Sequence, residues 1–157
     1  MKLSEILTPS HILPDLQAGD RWEAMDELLD HLIGVGDFSP EWRSEVSNSL
    51  RQREAMISTG VGGGVAIPHA FSEHINEVVA VFGRSRAGID FVAQDRESVH
   101  FVVLFISPLK SYQKHLHALA AIARMFTKPE TRERMMFAGD VDELYQLFRQ
   151  KVVAIKA

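Results

Sequence analysis

The stretch from Val99 to Ile106 limits the possible folds more than any other, because it is almost unbroken in apolar side chains and bounded by polar ones. A strand of that character is buried on both faces. It belongs in the middle of a sheet with helices packed above and below. Its longest purely apolar part, Phe101 to Ile106, is far too short to span a bilayer, and the start, Met1-Lys2-Leu3-Ser4-Glu5-Ile6, has no apolar run of signal-peptide length. The expectation is a cytoplasmic protein that is neither exported nor membrane-embedded.

Period-2 or β-rich character also marks Val65-Ala66-Ile67, Glu77 to Ser85 and Gly88 to Val92 as strands, with Ser98 to Ile106 as the central one. Helical spacing surrounds them. Asp20/Glu23, Thr127/Glu130 and Asp140/Glu143 read as capping boxes, in which a short side chain accepts from first-turn amides and a glutamate reaches back. After Asp20 the apolar residues Trp22, Met25, Leu28, Leu29, Leu32 and Ile33 keep helical spacing up to Gly34 and Gly36. Ser39-Pro40 opens a second helix to about Glu54, and three more follow over Ser111 to Phe126, Pro129 to Ala138 and Val141 to Val153, with Ala154 to Ala157 expected to fray. A chain of 157 residues, 46% hydrophobic and 24% charged, can bury one proper core. The expected architecture is a single α/β domain, 1–157, with helices on both faces of the sheet.

Charge and cysteine content narrow the function. Lys plus Arg is 17 against 21 for Asp plus Glu, a net charge of −4, which argues against a nucleic-acid partner. The absence of cysteine removes thiolate nucleophiles, disulfides and Cys-based metal sites. No metal is expected either, because His74 and the carboxylates show no ligand spacing.

The most unusual segment is Ser58-Thr59-Gly60-Val61-Gly62-Gly63-Gly64, running directly into Val65-Ala66-Ile67-Pro68-His69-Ala70. Such a loop is either a tight connection or an anion-binding nest whose amides approach a ligand. It is not a nucleotide loop, since no Gly-Lys-Ser/Thr ends it and it precedes a strand instead of linking strand to helix. His69 follows at a strand end, where an imidazole titrating near neutrality can act as nucleophile or base. His115 and His117 lie two apart on a helix and diverge by about 200°, so one site cannot use both. A wheel built on Tyr112, Leu116, Leu119, Ala120, Ile122, Ala123 and Phe126 puts His115 at the core's edge and His117 toward water. Arg53 before the loop suits either a helix C-terminus or a phosphate clamp. His11, His31 and His100 have no companion groups and read as structural.

Arg53-Glu54, the glycine segment and Val65-Ala66-Ile67-Pro68-His69 together resemble the active-site signature of the fructose/mannitol-type IIA domains of the bacterial phosphoenolpyruvate-dependent sugar phosphotransferase system. The likeness extends through Gly88-Ile89-Asp90-Phe91, Ser107-Pro108 and His115-Leu116-His117-Ala118-Leu119, over essentially the whole chain. It implies a mixed sheet of about five strands flanked by helices, with His69 as the phosphorylated histidine, His115 as its support through a hydrogen bond or positive charge, and Arg53 as the arginine before the loop. Thr59, Gly60, Gly62, Gly63 and Gly64 would add phosphate-binding groups, with no cofactor. The implied partners are the phosphocarrier HPr or its nitrogen-branch counterpart, and beyond them a IIB domain or regulatory targets. Asp142-Glu143-Leu144-Tyr145-Gln146 and the loop most resemble the nitrogen-regulatory branch, with sugar import as the alternative. A non-catalytic interaction module on the same fold, or a small-anion or nucleotide-binding domain using the loop alone, are the competing classes. Ile57 and Ala70 stand where glycine is common, and Ala70 would carry roughly 1 kcal/mol of strain if its position required a positive φ.

Overall fold

A computed structural model describes residues 2–150. The frayed end expected at Ala154 to Ala157, and the last turn of the helix expected to reach Val153, lie outside the described residues. In chain order the elements are α1 (Leu3–Ile6), β1 (Ile12–Leu13), α2 (Arg21–Gly34), α3 (Arg43–Met56), β2 (Gly60–Gly62), β3 (Val65–Ala66), β4 (His69–Phe71), β5 (Val79–Ile89), β6 (Val99–Ser107), α4 (Tyr112–Met125), α5 (Pro129–Phe137) and α6 (Val141–Gln150). The strands form one mixed six-stranded sheet in the order β1-β5-β6-β3-β2, with β4 also paired to β6.

β6 is central, as its apolar run requires. β5 lies antiparallel on one side, while β3 and β4 lie parallel and end to end on the other, at Phe101–Val102 and Phe105–Ser107 respectively. Alternate side chains go to opposite faces. Phe101, Val103 and Phe105 join a core with α1, α4, α5 and α6, whereas Val102, Leu104 and Ile106 join a second core under α2 and α3. Each fully buried residue of this size stabilises the fold by roughly 1.5–3 kcal/mol, so a polar substitution in β6 would damage both layers.

Asp20 and Asp140 cap α2 and α6 as expected, accepting from the amides of Glu23 and Glu143 at 2.8 and 2.9 Å. Their glutamates reach Gly19 and Gly139, one residue before the cap. Thr127 does not cap α5. Its hydroxyl instead donates to the Arg124 carbonyl at 2.6 Å, and α5 begins at Pro129 after Lys128. Glu77 to Ser85 and Gly88 to Val92 are not two strands: β5 runs through to Ile89, with its register shifted between Arg84 and Ile89 where Gly88 takes a φ of +89°. That irregularity is why the period broke there.

Candidate active site

β4 is three residues long and follows Pro68, whose carbonyl accepts from the amide of Phe105 at 3.0 Å. Parallel pairing sets His69 beside Phe105 and Phe71 beside Ser107. Period 2 then turns His69, Phe71, Phe105 and Ser107 toward α4, while Ala70 enters the core under α2 and α3. Ala70 has no positive φ, so the strain anticipated there is absent.

His69 is half-buried, and its Nδ1 lies 2.8 Å from the carbonyl oxygen of Ile67. A carbonyl only accepts, so Nδ1 carries the proton and Nε2 keeps its lone pair. Burial pushes the His69 pKa below the usual 6.5; the Ile67 hydrogen bond opposes this, Arg53 adds to it through its charge, and Glu54 opposes it. The ring is therefore neutral near pH 7.

His115 stands over that ring from the first turns of α4, with centroids 5.1 Å apart and planes at 62°. It is 2% exposed, with Phe71 packed against it at 4.6 Å and its Nδ1 at 2.7 Å from Ser107 Oγ. Burial, and then the charge of a protonated His69, push its pKa down to about 4. His115 is thus neutral near pH 7. The buried face of α4 differs from the one the wheel predicts. That face is His115, Ala118, Ala121, Ile122 and Met125, whereas Tyr112 and Leu116, counted as core, are 50% and 42% exposed. His115 accordingly lies inside the core, not at its edge, and His117 is half-buried instead of facing water.

α3 brings Arg53 to the same corner from the other helical layer. The Arg53 guanidinium donates through Nη1 to the Ile57 carbonyl at 2.8 Å, its one hydrogen bond among the described residues. Glu54, next to it, is 1% exposed and accepts from both the amide of Thr59, at 2.7 Å, and its hydroxyl, with Arg21 at 3.8 Å. Nothing in the linear pattern marks the role of Glu54, because a charged residue sitting beside a buried threonine in space gives no periodic signal.

The glycine segment divides. Thr59 and Gly60 lie near the His69 end of β3, but their amides already serve Glu54 and Ser58 Oγ. Gly62, Gly63 and Gly64 form the β2–β3 hairpin with φ of +95°, +67° and +82°, a conformation in which L side chains are strained. Gly63 donates to Asp95 Oδ2 at 2.9 Å. β3 meets β6 at Phe101 and β4 meets it at Phe105, so at 3.3 Å per residue the hairpin lies about 13 Å or more from His69. The structure does not bring these three glycines to the histidines, and of the two readings of the loop the tight connection is the one their geometry satisfies.

The remaining histidines have partners elsewhere: His11 contacts Asp37, His31 the Ser10 carbonyl and His100 the Ser85 carbonyl. Glu45, Glu73 and His74 come together from α3 and the segment after β4, with ligand atoms within 4.8 Å of one another. Their separation along the chain hid this group. His74 is already paired with Glu45 at 2.7 Å and stacked on Trp42, and both glutamates are exposed. Among the described residues no helix is long and apolar enough to cross a membrane.

Residues 5–151 match the family model described as phosphoenolpyruvate-dependent sugar phosphotransferase system, EIIA 2. A fructose-specific EIIABC component from Bacillus subtilis is 27% identical over 96% of this chain, which spans only 23% of that protein's length. A nitrogen regulatory protein from Bradyrhizobium diazoefficiens is 29% identical over 94% of each chain. The crystal structure of nitrogen regulatory protein IIA-Ntr from Neisseria meningitidis superposes with a TM-score of 0.84 at 29% identity, covering 93% of this chain and 98% of that one. With the family model spanning nearly its whole length and the two histidines meeting at the end of the central strand, this chain belongs to the type 2 EIIA family of the phosphoenolpyruvate-dependent sugar phosphotransferase system.

Proposed function

We propose that the protein carries a phosphoryl group on Nε2 of His69, received from the phosphohistidine of a small carrier protein, HPr or its nitrogen-branch counterpart. One observation carries this reading: the Ile67 carbonyl holds the proton on Nδ1 of a half-exposed, neutral imidazole, leaving a free lone pair beside a second ring. In the step, the donor's P–N bond breaks as a P–Nε2 bond forms on His69, and the proton stays on Nδ1. Transfer of this kind demands positioning and charge stabilisation more than covalent help. His115 donates a hydrogen bond to the incoming oxygens and Arg53 balances their charge. No metal or organic cofactor enters.

Exposed apolar side chains near the site, among them Tyr112, which stacks on Phe71, and Leu109 and Ile57, suit the face of a partner protein. The setting would be the cytoplasm. The nitrogen regulatory relatives that match this chain over almost their full length favour regulation over sugar import. The test is incubation with phosphoenolpyruvate, enzyme I and the carrier: acid-labile phosphate should appear on the wild-type chain and be absent from His69→Ala. Label retained by that variant would defeat the assignment.

A further inference from the structure

We propose that Ser107 fixes the proton of His115 on Nε2, so that the ring meets the phosphoryl group on His69 with an N–H and not with a lone pair. The consequence for transfer rests on the function proposed above; the placement of the proton does not. Ser107 ends β6 beside Phe71, and that register turns its side chain toward α4. It has no solvent exposure, and among the described residues its hydroxyl has a single side-chain partner, His115 Nδ1 at 2.7 Å.

Two arrangements fit that distance, and burial decides between them. If Nδ1 carried the proton and donated to Oγ, the hydroxyl hydrogen would be left in the interior with no acceptor, and a buried donor left unpaired bears the full loss of its hydration. If the hydroxyl donates to Nδ1, both groups are satisfied and the one ring proton sits on Nε2. A charged ring would again displace the hydroxyl hydrogen, so the same contact opposes protonation and acts with burial. The two imidazoles then complement each other. The Ile67 carbonyl gives His69 a lone pair at Nε2, and Ser107 gives His115 a proton at Nε2. Ser107 is a positioning residue: it reaches the reaction only through His115. An alanine or valine at the end of β6 would fill the same place without a donor.

The ring nitrogens report this directly. Long-range proton–nitrogen correlation spectra of the full-length wild-type protein at pH 7 should show His115 as a single neutral tautomer with Nε2–H. In Ser107→Ala the proton should no longer be confined to that nitrogen, and the maximal rate of transfer from phosphorylated carrier should fall about fivefold to thirtyfold, the effect of one or two kcal/mol, with the carrier concentration for half-maximal rate unchanged. Ser107→Cys, which retains a weak donor of similar size, should recover part of the rate. A wild-type His115 carrying its proton on Nδ1 would overturn the proposal, as would a Ser107→Ala variant with unchanged tautomer and rate. Should the wild-type chain accept no phosphoryl group at all, the proposed function fails, and the spectra alone then uphold or refute the role of Ser107.

Discussion

The segment from Thr59 to Phe71 runs along one side of β6 and treats its polar groups oppositely at the two ends. At the Gly62–Gly64 hairpin, the amide of Gly63 is bound by a carboxylate of this chain, Asp95. At β4 the hydrogen bonds to Ile67 and Ser107 use one nitrogen of each imidazole, and where the two rings meet the other nitrogens have no partner among the described residues. Between them, Glu54 occupies the amide and hydroxyl of Thr59. The contrast shows where a ligand can act: it needs polar groups that the fold has oriented but not satisfied. Glycine content marks a backbone requirement, and here that requirement is a turn.

Loss of the proposed nucleophile is expected to have the greatest consequence. His69→Ala should lower phosphoryl acceptance by more than about a thousandfold, measured with radiolabelled phosphoenolpyruvate, because the proposed P–Nε2 bond then has no nitrogen to form on. Persistent transfer would move the chemistry elsewhere.

The next effect is on stability against pH. The His115 pKa is about 4 in the fold against 6.5 for the free group, so the unfolded chain binds the proton first as pH falls. Stability from this group is fully present above pH 6.5 and drops by about 3 kcal/mol as pH falls to 4, read by urea denaturation. His69 is shifted in the same direction and adds to the slope. His115→Gln should flatten it; an unchanged slope would show that His115 is not held neutral by burial. His115→Ala should then slow transfer about a hundredfold with the fold retained, as loss of one preorganised donor does elsewhere. Equal rates in wild type and variant would remove His115 from the reaction.

A Cβ on Gly63 would sit 3.2 Å from Arg132 Nη1 at a φ of +67°, so Gly63→Ala should cost about 1–2 kcal/mol of stability in thermal melts. Its transfer rate per folded molecule should be unchanged. A variant that melts normally but transfers poorly would return the hairpin to the active site.

Much of this arrangement was legible in the sequence, for reasons that differ by residue. β6 announced itself through its apolar run, and Asp20 and Asp140 through the spacing of their caps. His69 and His115 were named by resemblance, whereas their meeting depends on the register of β4 on β6 and on the buried face of α4. β1 and β4, two and three residues long, are too short for any period to register. Tyr112 and Leu116 misled the wheel because apolar residues left exposed near a site look like core in a linear sequence. The pairs Ser107–His115 and Glu54–Thr59 depend on sheet register and on the turn after α3, which spacing along the chain does not encode.

Nitrogen-15 spectra of the protein phosphorylated by its carrier show which ring atom holds the phosphorus. Phosphorus should be bonded to Nε2 of His69, with the proton retained on Nδ1 against the Ile67 carbonyl. Phosphorus on Nδ1 of His69, or on His115 or His117, would contradict it.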